Sequence, residues 1–278
     1  MKQLRAALVA TAFVAGLLGG TTAAFGTDLP IAKNPVVLAV AKGDCPAAAK
    51  FINRDVQAND GQTAFIAGRM LDEGLCLLRN PELAGAFYSR SADLGERAAQ
   101  LDYAAKIGLG EGTTQDYAVA GNLCRTAGID PQNRVLNYSL GYACTVRALV
   151  GRKLRESLPG NTFQNISGAA ARVEFNPASG QLLVRAMSKV SVGESSTGSR
   201  IAPPLVDVPR EIDKAWRQAL TIAPKPDAAL LENAPVEVLL DLDMTLEQGH
   251  KAAQRKSPDQ IRSLESWDLA RSSPVVSK

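Results

Sequence analysis

Gln62-Thr63-Ala64-Phe65-Ile66-Ala67-Gly68-Arg69-Met70-Leu71-Asp72-Glu73-Gly74, a short break, then Pro81-Glu82-Leu83-Ala84-Gly85-Ala86-Phe87-Tyr88-Ser89-Arg90-Ser91-Ala92-Asp93-Leu94-Gly95 is the stretch that decides the fold. Both halves carry apolar and small residues at three-to-four spacing, the pattern of helices with one buried face. Gly74 and Gly95 stand where each helix would end, because glycine adopts the left-handed backbone of a C-cap without strain. The pattern returns from Arg97 to Gly128, with Ala99 in the place of Ala64 and Gly128 in that of Gly95. That offset, about 33 to 36 residues, is the period of stacked helical hairpins. A third, partial copy runs from Asn133 to Val150, its Gly141 two periods from Gly68.

Upstream, 27–44 is a short apolar lead-in. Cys45-Pro46 opens a helix ending near Asn59, with proline where its missing N–H does no harm and Phe51, Ile52 and Val56 as the buried stripe. The small residues at Ala64, Gly68, Ala84 and Ala92 let helix backbones approach closely, and Phe65, Met70, Leu71, Phe87 and Tyr88 fill the gaps between them. This pattern resembles Sel1-like repeats, relatives of the tetratricopeptide family, over roughly residues 45–155. Gly68, Gly74, Ala84, Tyr88, Ala92 and Gly95 carry the match in the first copy; in the second, Tyr103 stands at the Gly68 position and Gly121 at the Tyr88 position. The resemblance implies an all-α solenoid whose concave face binds other proteins.

After 157 the periodicity changes. A polar, turn-rich link over 158–168 gives way to alternation at Val173 and Phe175, a turn at Asn176-Pro177-Ala178-Ser179-Gly180, and renewed alternation at Leu182, Val184 and Ala186, which is a β-hairpin. A helix follows from Pro209 to Ile222, with Ile212, Ala215, Trp216, Ala219 and Leu220 on one face, and Pro224-Lys225-Pro226 stops it. Val236, Val238, Leu240, Leu242, Met244 and Leu246 then alternate with more polar neighbours, giving a long strand with one apolar face. The order strand–strand–helix–strand predicts a small antiparallel α+β domain over 169–248, ahead of a polar tail at 249–278.

Val173-Glu174-Phe175, Ser179-Gly180-Gln181-Leu182-Leu183, Ser195-Ser196-Thr197-Gly198, Ile212-Asp213-Lys214-Ala215-Trp216-Arg217-Gln218-Ala219, Ile222-Ala223-Pro224-Lys225-Pro226 and Pro235-Val236-Glu237-Val238-Leu239 resemble, in order and spacing, the C-terminal domain of the TonB/TolA type. Two features depart from that family: Leu158-Pro159 stands where a Tyr-Pro pair is usual, and the long Pro-rich spacer of energy-transducing members is missing. In the family an extended partner adds to the edge of the final strand. This assigns partner binding here to Val236, Val238, Leu240, Leu242 and Met244.

Residues 1–26 read as an export signal: Lys2 and Arg5 form a positive start, Ala6 to Leu18 an apolar run, and Thr22-Ala23-Ala24 and Ala24-Phe25-Gly26 are competing cleavage sites. Left uncleaved, the same run would be a membrane anchor, although it is short for a span of about 20 residues. Of the formal charge of +3, Lys2 and Arg5 supply two, so removing the leader leaves +1. That balance excludes an electrostatic nucleic-acid binder. Export puts the four cysteines in an oxidising compartment. An antiparallel first hairpin sets Cys45 opposite residue 75, within reach of Cys76. Cys124 with Cys144 follows only by elimination, because a simple hairpin about Asp130 would set Cys124 opposite residue 136.

Catalysis needs a base or nucleophile beside a partner that tunes it. The lone histidine, His250, lies in a polar segment and reads as a solvated surface group. Asp241 and Asp243 would share one strand face about 7 Å apart, a spacing glycosidases use, but a solvated outer face accounts for them. The cysteines lack the CxxC spacing of a metal site, and Gly108, Gly110 and Gly112 follow no strand and so form no nucleotide loop. The expectation is therefore a multidomain, exported, periplasmic interaction protein without enzymatic activity, metal or cofactor. Its partners would be envelope proteins or peptides, an outer-membrane transporter among them, with membrane contact only if the leader persists. The alternatives are a membrane-anchored short energy transducer of the TonB type and a secreted hydrolase-like Sel1 protein; against the last, the chain has no Ser-x-x-Lys motif.

Overall fold

A computed structural model describes residues 33–157, 170–187 and 207–241. The elements run α1 (Pro35–Ala41), α2 (Cys45–Gln57), α3 (Gly61–Glu73), α4 (Pro81–Asp93), α5 (Arg97–Leu109), α6 (Tyr117–Thr126), α7 (Asn137–Ser157), β1 (Ala170–Phe175), β2 (Leu182–Met187), α8 (Val208–Ile222) and β3 (Val236–Asp241). The described residues are thus mostly helical, with a small antiparallel sheet towards the C-terminal end.

Local chemistry starts most of the helices. Asp44, Asp60, Asn80, Asp116 and Asp207 each accept backbone N–H groups of the first turn of α2, α3, α4, α6 and α8, caps worth roughly 1 kcal/mol apiece. Gly74 and Gly110 end α3 and α5 in the left-handed conformation. One element differs from expectation. The lead-in holds a helix of its own, α1, because Asn34 caps it and Pro35 supplies a pre-set first position.

The helices pack in sequence, α3 with α4, α4 with α5, α5 with α6, and α6 with α7. Small residues set the spacing. A Cβ on Gly68 would lie 2.7 Å from the Tyr88 ring, and one on Gly141 would lie 1.9 Å from the Tyr117 carbonyl oxygen. Gly121 meets the Asn137 carbonyl as closely, at 1.8 Å. Helices α6 and α7 therefore touch backbone to backbone at Gly121 and Gly141.

Both disulfides form, Cys45–Cys76 and Cys124–Cys144, with Cα atoms 5.4 and 6.7 Å apart. The second contradicts the simple hairpin about Asp130, and the glycine contact explains why. Cys124 and Cys144 each lie three residues beyond their glycine. Strictly antiparallel helices would carry them to opposite sides of the contact, about six residues or 9 Å apart along the axis. The helices instead cross at the glycines, so both cysteines leave the crossing on the same side.

The sheet has strand order β2-β1-β3, all antiparallel. Ala171, Val173 and Phe175 of β1 and Val236, Val238 and Leu240 of β3 are buried on one face with Ile212, Ala215, Trp216 and Ala219 of α8. Those residues belong to the same apolar cluster as α5, α6 and α7, so packing is continuous across the change of periodicity after 157. A run of rings shows the join: Tyr138, Tyr117, Tyr142, Phe175 and Trp216, with successive centroids 5.4, 5.5, 6.1 and 4.9 Å apart. The segment between α8 and β3 is strapped over the starts of α6 and α7. The Tyr117 hydroxyl donates to the Pro224 carbonyl at 2.5 Å, and the Asp227 and Glu232 amides donate to the Tyr138 and Ser139 hydroxyls, each at 2.8 Å. The Glu232 carboxylate in turn accepts from the Leu136 amide.

Candidate functional site

Which backbone groups of β3 point away from β1 can be worked out from the hairpin. The Asn176 amide donates to the Gln181 carbonyl at 2.9 Å, so residue 176 turns its polar backbone toward β2. Alternation then turns Phe175, Val173 and Ala171 toward β3, where they face Val236, Val238 and Leu240. The outward row on β3 is Glu237, Leu239 and Asp241. An independent contact agrees: Arg147 of α7 donates from Nε to the Leu239 carbonyl at 2.6 Å. The side chains of Val236, Val238 and Leu240 lie in the core, and the backbone groups that β3 turns away from β1 are those of Glu237, Leu239 and Asp241, of which the Leu239 carbonyl is taken by Arg147. Leu242 and Met244 lie outside the described residues, as do His250 and Asp243.

The opposite rim is different. Pairing of Arg172 with Ala186 and of Val173 with Val184 leaves Arg185 as an extra residue in β2, a bulge that breaks the regular row of donors and acceptors an added strand needs. β3 pairs with β1 without such a step.

The solvent face of the sheet is charged. Glu174 stands opposite Glu237, and guanidiniums separate the two carboxylates: Arg185 bonds Glu174 at 2.6 Å and Arg172 reaches Glu237 at 3.4 Å. The Arg185 hydrogen bond holds the Glu174 carboxyl below its ordinary range. Beside β3 a cavity of about 60 Å³ lies between Glu237, Val238 and Leu239 on one side and Gly128 to Pro131 with Arg134 on the other, and Arg172 also lines it. Asp130 anchors that loop. Its carboxylate accepts from the Arg134 and Val135 amides at 3.1 and 3.0 Å and from Arg125 at 3.0 Å. Burial pushes Asp130 upward, but these backbone and guanidinium donors outweigh it and hold the group below the usual carboxylate range.

A second surface runs across α3, α5 and α7. Lys106, almost wholly buried, meets Asp72 at 2.8 Å and Glu111 at 3.4 Å. Arg152 meets Glu111 at 3.0 Å and Asp72 at 3.6 Å, and Arg155 meets Glu73 at 3.0 Å. Burial raises the Glu111 carboxyl, yet Arg152 and Lys106 reverse the balance and leave it lowered. Asp102, beside this network, is raised by burial despite Arg147, Arg69 and Arg155. None of these residues stands out in the sequence as a site. One signal was present: Asp72 and Lys106 are 34 residues apart, one repeat period, so stacking brings opposite charges together.

All four cysteines are paired. The two disulfides fit an oxidising, exported environment, and no helix among the described residues is long and apolar enough to cross a membrane. Chemically, β3 turns the amides of Glu237 and Leu239 away from β1, and the helical face holds fixed ion pairs. Comparison with family models, with curated proteins and with solved structures finds no match to the chain.

Proposed function

We propose that this chain is an exported, periplasmic interaction protein without catalytic activity, in which a Sel1-like helical stack presents a TonB-type domain to envelope partners. Partners bind by adding an extended strand beside β3, and the face of α3, α5 and α7 offers a second docking groove. An outer-membrane transporter is the kind of partner this role serves.

The observation that carries the reading is the outer position of β3 in the described sheet, with the Glu237 and Leu239 amides and the Glu237 carbonyl turned away from β1 while Arg147 holds the Leu239 carbonyl. A row of this kind is completed by another extended chain at little conformational cost.

The test is capture from an envelope fraction on the immobilised full chain, compared with Leu239→Pro. Proline at 239 removes an outward N–H and leaves the ladder to β1 intact, whereas proline at Leu240 would break the protein's own sheet. Partners should be retained by the wild type and lost on Leu239→Pro whose thermal unfolding is unchanged. Retention of the same partners by that folded variant would end the strand-addition reading.

A further inference from the structure

We draw no further inference here: the strongest candidate, the surface patch where exposed Leu136, just ahead of α7, and exposed Leu230, in the segment strapped over it, stand out in apolar character, carries nothing because nothing in the structure shows what covers it.

Discussion

Replacing Gly141 by alanine places a methyl group 1.9 Å from the Tyr117 carbonyl oxygen and 2.8 Å from the Gly121 nitrogen. An ordinary carbon–oxygen contact is about 3.3–3.6 Å, so α6 and α7 would have to separate by more than about 1 Å. The colliding atoms are backbone, which no rotamer change can move aside. The Cys124–Cys144 bridge, three residues further on, resists the separation. Overpacking of this kind costs about 1–3 kcal/mol when side chains can adjust. With backbone on both sides the loss should be about 3 kcal/mol or more, a fall in thermal midpoint of roughly 6–12 °C. Gly151 is the control within the same helix. A Cβ there meets only the end of the Arg155 side chain, at 3.4 Å. Gly151→Ala should stay within about 1 kcal/mol of the wild type, on the stabilising side, because alanine is the better helix former. Denaturant unfolding of the oxidised protein measures both. If Gly141→Ala lies within about 0.5 kcal/mol of the wild type, the helices do not cross at the glycines and the account of the second disulfide goes with them.

The remaining expectations concern charge and cross-links. Replacing both cysteines of either bridge by serine should cost about 3–4 kcal/mol by loop closure over separations of 31 and 20 residues, and comparable denaturant midpoints with and without the bridges would contradict this. Lys106→Met leaves Asp72 and Glu111 with only Arg152 between them, and a loss of about 3 kcal/mol is expected, read from the same unfolding curves. Asp130 has a lowered folded pKa, so its stabilisation is complete above the unfolded carboxylate value near pH 4 and is lost as pH falls through the lower folded value. Asp130→Asn should therefore lower stability at neutral pH and flatten the acid limb of the stability–pH curve; an unchanged limb would show that the loop is not held by that carboxylate. Asp102 has the opposite sign: raised by burial, it favours folding at low pH and disfavours it as pH rises through its folded value.

Much of this arrangement was legible in the residues. The three-to-four spacing located α3 to α6, and the turn Asn176 to Gly180 located the β1–β2 hairpin. Trp216 and its neighbours identified the buried face of α8. These are local signals, and each is spelled within one element. What could not be read was convergence. Nothing near Arg147 says that it will reach the Leu239 carbonyl 92 residues away, and Arg134 looks like any surface arginine until the 128–134 loop is laid beside β3. The second disulfide was obscured for a similar reason. A short loop about Asp130 suggests an antiparallel hairpin, whereas Gly121 and Gly141 set the crossing. Val236, Val238 and Leu240 alternate because their side chains fill the core, and the backbone turned away from β1 belongs to the residues between them.

The central claim is that β3 has one side paired to β1 and another that pairs with no strand among the described residues, and residue-resolved amide hydrogen exchange tests it on the free protein. Val238 and Leu240 should exchange slowly, held by Val173 and Ala171, while Glu237 and Leu239 should exchange fast and slow down only when an envelope partner is captured. Equal, strong protection of all four amides in the free chain would mean that the rim is already filled and has no strand to accept.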